Sequence, residues 1–406
     1  MRLTVLLIFA ATYAGVAIGR IPGLKLNRVG IALLGAIGMM LFGGVRTSAV
    51  IGYVNWPTIL MLFGFFVISA QLRMSGFYDR VAGALALRLE HPAAFLFALM
   101  AGAAVLSSFL NHDIVCFVFA PIVGAALLRK GLNPVPFLVA LAIASNIGAA
   151  ATLIGNPQDM MIGQVASLGF GRYIAWSCIP VAFAFASSYG IIWYLSRASL
   201  RASPGTGPVA APDYPFNLGH TVKGLVILAV VVGLLFSPLP MEVVALAAAG
   251  IHLASRKYRT EDLLGLVDWP ILILFAALFV VTGAFQSTGY GETAVRWLSG
   301  AGVNLAHPAT LALATAGLSN LVGNAAAVML LLKVVPLAHP ETAYVLALAN
   351  SFGGSLILIG SVSNIIVAQQ ARGIGVNVSF REFARLGVPV TLVAIGGLVA
   401  WVAIFG

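Results

Sequence analysis

Charge is what this chain has least of. Only 8% of its 406 residues are Asp, Glu, Lys or Arg and 61% are hydrophobic, against roughly 25% charged in soluble domains, so a freely solvated domain is excluded. Cysteine is nearly missing too. Cys116 and Cys178 are the two present, both in apolar runs; they are too few for a zinc set or a disulfide framework and are expected as small buried hydrophobes. No G-x-x-x-x-G-K-[ST] loop occurs, which removes transport ATPase machinery. No enzymatic constellation is found, so neither an enzyme nor a cofactor is expected. No A-x-A-like cleavage site leading into a soluble domain follows the first apolar run, which therefore reads as a helix and not as a signal peptide. Acidic residues number 12 against 22 basic, a net charge of +10. The basic residues are scattered through short loops, a pattern that suits lipid headgroups and membrane orientation and not nucleic acid.

What the chain has is apolar runs near the ~17–25 residues that cross a bilayer: Leu3–Gly19, Thr58–Leu72, Tyr173–Leu195, Ile271–Ala284 and Val388–Phe405. In the first half, spans are expected near 3–19, 29–44 and 57–74, with a short amphipathic piece at Tyr78–Leu89. The apolar segment 93–128 is too long for one span and is interrupted by Ser107-Ser108-Phe109-Leu110-Asn111-His112-Asp113. It reads as a re-entrant hairpin with its tip at Asn111–Asp113. A span over 134–165 is broken at Gly148 and at Gly155-Asn156-Pro157, and a last one covers 173–197. Non-helical backbone at membrane depth is tolerated only where it is buried in protein or lines a cavity.

Residues 198–222, rich in Pro and Gly, read as a linker, after which the order of motifs returns. Val54-Asn55-Trp56-Pro57 is echoed by Val267-Asp268-Trp269-Pro270, Ser75-Gly76-Phe77 by Thr288-Gly289-Tyr290, and His91-Pro92-Ala93 by His307-Pro308-Ala309. Leu106-Ser107 returns as Leu318-Ser319, Gly148–Gly155 as Gly353–Gly360, and Ile179-Pro180-Val181 as Val388-Pro389-Val390. Two copies of one unit follow: a first repeat over 1–198, a cytoplasmic linker over 199–222 and a second repeat over 223–406. Five spans and a hairpin per copy is an odd number of crossings, so the copies are inverted. The expected fold is an all-α polytopic membrane protein with ten spans, two re-entrant hairpins and two broken helices, the design of many secondary transporters. Under this topology seventeen Lys and Arg fall on one side and only Arg2, Arg46, Arg172 and Arg296 on the other. The positive-inside rule makes the first side cytoplasmic and puts both termini outside.

The polar residues at the two tips and two breaks are the candidate substrate and ion site: Asn111, His112, Asp113, Asn146, Gly148, Thr152, Gly155 and Asn156 from the first copy; Gly323, Asn324, Asn350, Gly353, Ser355, Gly360, Ser361 and Asn364 from the second. Helix ends at a break offer unpaired N–H and C=O groups, which hold anions and cations without a charged side chain. Asp113 is the acid at a hairpin tip. An ionisable side chain at mid-membrane marks a transport or proton pathway, and burial favours the protonated carboxyl, so Asp113 is the candidate proton carrier, the alternative being a permanently ionised helix cap. His112 either shares that proton or donates a structural hydrogen bond. Asn156-Pro157-Gln158-Asp159 reads as a capped helix start. Lys333 either snorkels to the interface or approaches an anion. Cys116, one turn beyond Asp113, either packs or touches a thiophilic substrate. Trp56, Trp176 and Trp269 read as interface anchors.

At these motifs the sequence resembles the ion transporter superfamily, specifically the ArsB/NhaD-type permeases and more distantly the divalent-anion/sodium symporters. Leu110-Asn111-His112-Asp113-Ile114-Val115-Cys116 is similar to the Asn-Asp-x-Val-Cys tip of ArsB-like permeases, with His112 where Asn is usual. Ser145-Asn146-Ile147-Gly148-Ala149-Ala150-Ala151-Thr152-Leu153-Ile154-Gly155-Asn156-Pro157 is similar to their Ser-Asn-Ile-Gly-Gly-x-Ala-Thr-Leu-Ile-Gly-Asp-Pro stretch. The symporters' Ser-Asn-Thr tips read here Asn111-His112-Asp113 and Gly323-Asn324-Ala325, so only Asn324 keeps the family residue. Ser107 and Ser319 match the family's sodium-binding serines. The resemblance implies proton-coupled efflux of arsenite or antimonite through an alternating-access midplane site in a bacterial inner membrane, since neither tip carries Arg or Lys to hold a full anion. The other readings are sodium- or proton-coupled transport of a small organic or inorganic anion, and Na+/H+ antiport. A homodimer, and association with a transport ATPase subunit, are the partner states it raises beside the bilayer and the solute.

Overall fold

A computed structural model of the chain describes residues 2–19, 25–87, 89–200, 215–255, 257–290, 293, 304–337 and 339–405. Among these there are twenty helices and no strand. The first ten are α1 (Arg2–Ile18), α2 (Arg28–Leu41), α3 (Thr47–Tyr53), α4 (Trp56–Met74), α5 (Phe77–Ala86), α6 (Pro92–Phe109), α7 (His112–Arg129), α8 (Val135–Ala149), α9 (Pro157–Val165) and α10 (Phe170–Leu195). After the short α11 (Arg197–Leu200) come α12 (Leu218–Leu234), α13 (Met241–Leu253), α14 (Thr260–Leu264), α15 (Trp269–Gln286), α16 (Pro308–Val322), α17 (Asn324–Val334), α18 (Pro340–Gly353), α19 (Val362–Gly373) and α20 (Phe380–Phe405).

Several of the sequence echoes are helix starts and stops. Asn55 and Asp268 each cap the span that follows, Oδ1 accepting from Thr58 N at 2.9 Å and from Ile271 N at 3.2 Å, and a proline stands in the first turn of both helices, where its missing N–H costs nothing. Trp56 and Trp269, both exposed, donate Nε1 to the carbonyls of Ile51 and Leu264. At the other end Gly76 (φ +77°) and Gly289 (φ +78°) turn the chain through the left-handed region, which glycine enters without a Cβ penalty. Helices α3 and α14, which precede these capped spans, were not foreseen, being too short to show a period. The amphipathic piece is α5, which buries Tyr78, Ala82 and Ala86.

Packing pairs recur between the halves. α6 lies against α8 as α16 lies against α18; α7 lies against α19 as α17 lies against α9; α4 of the first half packs on α13 of the second, and α15 of the second on α2 of the first. α10 and α20 pack on each other. Large apolar side chains stay exposed on the periphery, among them Leu7 on α1, Ile179 and Phe183 on α10, Val226 and Val230 on α12, and Leu392 and Ile404 on α20. So large an apolar surface is stable against lipid and not against water.

Among the described residues six helices are long and apolar enough to cross a bilayer: α4, α6, α7, α10, α15 and α20. The polar interruption of 93–128 is a real break, with Leu110 and Asn111 between α6 and α7. Each arm has 18 residues, about 27 Å at 1.5 Å per residue, in line with the extent expected for 93–128. Two differences stand out. α12 begins inside the stretch expected as linker, because Asn217 Oδ1 caps it by accepting from His220 N at 3.0 Å. Cys178, expected to be buried, is exposed on α10. Residues 201–214 of the linker, and Arg20, Arg88, Arg201, Arg256 and Arg296 of the orientation argument, lie outside the described residues.

Candidate functional site

The two tips are built differently. At the first, Asn111 Oδ1 accepts from the Asp113 amide at 2.8 Å and starts α7. At the second a single residue, Gly323 at φ +89°, joins α16 to α17; any side chain there would be strained. Behind both tips the same clamp recurs. Ser108 Oγ donates to Ala104 O (2.8 Å) and Gly148 O (2.9 Å), and Asn320 Nδ2 donates to Ala316 O (2.8 Å) and Gly353 O (2.7 Å). Thr152 Oγ1 also donates to Ser108 O. The clamp is close because Gly148 and Gly353 have no Cβ: one at Gly148 would collide with the backbone of Ala104, and one at Gly353 would lie 2.7 Å from Ala316 Cα. Gly155 is tight for the same reason, against Ala149 and the Ser107 carbonyl.

The broken spans then meet across the halves. α8 ends at Ala149 and α9 starts at Pro157; α18 ends at Gly353 and α19 starts at Val362. Asn146 on α8 donates Nδ2 to Asn364 Oδ1 at 3.0 Å, and its own Oδ1 accepts from Ser361 Oγ at 3.1 Å. Asn364 Nδ2 donates back to Gly354 O and Ile357 O. The network reaches the first tip through Ser363, whose Oγ donates to Asp113 Oδ1 at 2.8 Å. His112 Nε2 stands 3.5 Å from the same oxygen, and its Nδ1 has no partner. Asp113 is therefore buried, with one polar donor from the other half of the chain and an imidazole beside it.

All four of these helix starts open on one cavity. Its wall holds His112 and Asp113 of α7, Pro157 and Gln158 of α9, Asn324 and Ala325 of α17, and Ser361 and Val362 of α19, facing an apolar side made by Ile271, Leu274, Phe275 and Leu278 of α15. The starts of α7, α9, α17 and α19 thus all border the same space, those of α7 and α9 with one N–H each taken up by the caps Asn111 and Asn156. Each helix start attracts an anion by about 0.3–1 kcal/mol, so four together match one charge-assisted hydrogen bond of about 1.5–3 kcal/mol. Arg28, the first residue of α2, supplies a guanidinium to the same cavity. It makes no ion pair with Asp113 or any other acid among the described residues. Its Nη1 lies 3.7 Å from where a Cβ on Gly323 would stand, so the glycine tip leaves it room.

Of the candidate residues, His112, Asp113, Gly323, Asn324, Gly360 and Ser361 border the cavity, and Asn146 and Asn364 join it through hydrogen bonds. Ser107, Asn111, Ser319, Asn350 and Ser355 lie behind the tips and breaks, where Ser107 Oγ, Asn111 Nδ2, Ser355 Oγ and both side-chain atoms of Asn350 are buried without partners. Asn156 caps α9, as read, and bonds Asp159 and Ser351. Thr152, Gly148, Gly155 and Gly353 hold backbone close. Cys116 is buried in the core. Lys333 is exposed and borders a second cavity with Tyr53, Asn55 and Trp56. Arg28, Ser108, Gln158, Asn320 and Ser363 were missed. Ser108 and Asn320 directly follow the echoed Leu-Ser pairs, a signal that was there; Arg28 carried none.

An all-helical fold with paired broken helices, exposed apolar flanks and a shared cavity walled by helix starts on one side and apolar side chains on the other defines a multi-pass membrane transporter. The profile of the citrate transporter family (CitMHS) matches residues 5–349, and the chain belongs to that family. Relatives include an uncharacterized transporter of Mycobacterium tuberculosis, 28% identical over 97% of this chain and 96% of its own, and the inner membrane protein YbiR of Escherichia coli, 26% identical over 84% and 87%. A putative transporter arsB of Dictyostelium discoideum is 29% identical over 38% of this chain and 28% of its own. Among solved structures, the YdaH transporter of Alcanivorax borkumensis superposes with a TM-score of 0.60 at 17% identity, covering 99% of this chain and 97% of that one, a likeness of fold alone.

Proposed function

We propose that this protein is a secondary transporter of a small carboxylate anion, citrate being the family's namesake, with a proton on Asp113 as coupling ion. The observation that carries this is the convergence of four helix N-termini and the unpaired Arg28 guanidinium on one cavity. The case for a neutral solute rested on tips without Arg or Lys. Arg28 reaches the second tip from a different helix, which removes that premise. Asp113 stands in the same wall, hydrogen-bonded to Ser363 of the other half, where gain or loss of a proton changes both the charge facing the cargo and the bond between halves. Sodium is the alternative coupling ion, supported by buried oxygens without partners at Ser107, Asn324 and Asn350.

Efflux of arsenite or antimonite is the second reading, favoured by the similarity to the putative arsB transporter over 156 residues. Exchange of sodium for protons fits less well, because the cavity presents positive helix ends. The test is flux in proteoliposomes. Labelled citrate, smaller dicarboxylates and arsenite are each offered under an imposed pH gradient or an imposed sodium gradient. Carboxylate accumulation driven by the pH gradient is the expected result. Arsenite movement with no carboxylate flux under either gradient overturns the proposal.

A further inference from the structure

The function just proposed uses one acid, Asp113, and leaves a second unexplained. Asp159, in the first turn of α9, is fully buried. Its amide donates to Asn156 Oδ1, which is the expected cap. Its carboxyl does more. Oδ2 accepts from Asn156 Nδ2 at 2.6 Å and from Ser351 Oγ, on α18 of the other half, at 3.3 Å, while Oδ1 has no partner.

No counter-charge is paired with it among the described residues; the nearby base on α10, Arg172, acts on Tyr344. α9 packs on α4, α17 and α18. The basic group of α4, Arg73, lies over the Phe117 ring. That of α17, Lys333, is in its last turn and borders the second cavity beside Val165, at the far end of α9. α18 brings Glu341 and Tyr344, and α10 brings Tyr173, whose ring stacks edge-on to Tyr344. Gln164, also at the far end of α9, bonds Glu242 of α13. No Lys, Arg or His pairs with Asp159 among the described residues. A carboxyl sealed among neutral donors and tyrosines neutralises itself instead of standing as a bare charge. A metal ion is a poor candidate for the task. It needs several oxygen ligands, and Asn156 Nδ2 and Ser351 Oγ present hydrogens.

The second copy supports this reading. The spacing that carries Gly155 onto Gly360 carries Asp159 onto Asn364 and Asn146 onto Ser351. Asn364 makes the equivalent cross-half bond with Asn146. An amide, the neutral isostere of a protonated carboxyl, thus serves in one copy where an acid stands in the other.

We propose that Asp159 is a second proton-binding site, distinct from Asp113, that holds its proton while α9 and α18 are in contact and exchanges it with water when they part. Ionisation would leave a charge with only two neutral donors, so release of the proton requires water to enter between the halves. The inference rests on the proton-coupled reading above, and the experiment separates the two. Infrared spectra of the purified full-length protein at neutral pH should contain a protonated-carboxyl carbonyl band that Asp159→Asn loses, with Asp113→Asn as control for the other acid. A band region unchanged by Asp159→Asn overturns the proposal. In proteoliposomes with labelled citrate, protons moved per citrate should fall by one in Asp159→Asn; an unchanged ratio also overturns it. If the parent protein moves no citrate, the transport reading falls and the infrared result still decides the protonation. Asn at 364 indicates that Asp159→Asn will fold; should it not, Asp159→Glu must shift the band for the proposal to stand.

Discussion

A single guanidinium changes the chemistry of this site. Arg28 borders the same cavity as four helix starts and has no carboxylate partner among the described residues, and under the proposed function it serves the bound anion. Arg28→Gln is expected to raise KM for the transported anion about ten- to a hundredfold, the equivalent of about 1.4–2.8 kcal/mol, and Arg28→Lys to recover part of it, since a lysine keeps the charge but not the fork geometry. Initial-rate uptake at varied substrate concentration measures this; an unchanged KM would move Arg28 to a purely structural role. Asp113→Asn should abolish proton-linked transport while leaving yield and monodispersity intact. Ser363→Ala, which removes the hydrogen bond to Asp113 from the other half, should lower the rate of uptake without eliminating it. Asp113 was legible because an acid in an apolar run is expensive and conspicuous. Arg28 and Ser363 were not. Arg28 reads as an ordinary basic residue at the start of a span, and only the fold carries it to a tip some three hundred positions away. Ser363 is a small hydroxyl in a helix start, with no pattern around it.

Among the elements, the caps and left-handed glycines explain why short motifs recur: Asn55 and Asp268 start a span, Gly76 and Gly289 stop one. These were readable because they act locally. The tight crossings were read in part. Gly148 and Gly353 were singled out as breaks and binding residues, and in the fold each lies against backbone, that of Ala104 and of Ala316. Gly148→Ala and Gly353→Ala should each destabilise the protein by at least the ~1–3 kcal/mol typical of overpacking, because backbone and not a flexible side chain must yield. Thermal unfolding in detergent should show lower midpoints for both; a midpoint matching the parent would mean that α6 or α16 moves aside freely. Asn320→Ala, which frees the carbonyls of Ala316 and Gly353, should act in the same direction.

Across the whole molecule, α4 completes itself on α13 and α15 on α2, so neither half holds all the partners of its own helices. Cutting the chain between residues 201 and 214 and co-expressing the parts should give a complex that purifies together. Either half alone should be degraded or aggregate. A stable, monodisperse first half would show that the exchanged pairs are dispensable. The fold class followed from composition and the recurrence of motifs, because hydrophobic runs and caps are written along the chain. The exchange between halves and the shared network of Asn146, Ser361 and Asn364 are properties of three-dimensional pairing, which no periodicity encodes.

The converging helix starts have one more consequence. Peptide units neither gain nor lose protons, so the pull they would exert on the proposed anionic cargo is the same in acid as in alkaline surroundings. Any sensitivity of this carrier to acidity must then come from its few carboxyl and imidazole groups or from the cargo itself. A change of three or four side chains, with the framework untouched, would be enough to retune it to another environment.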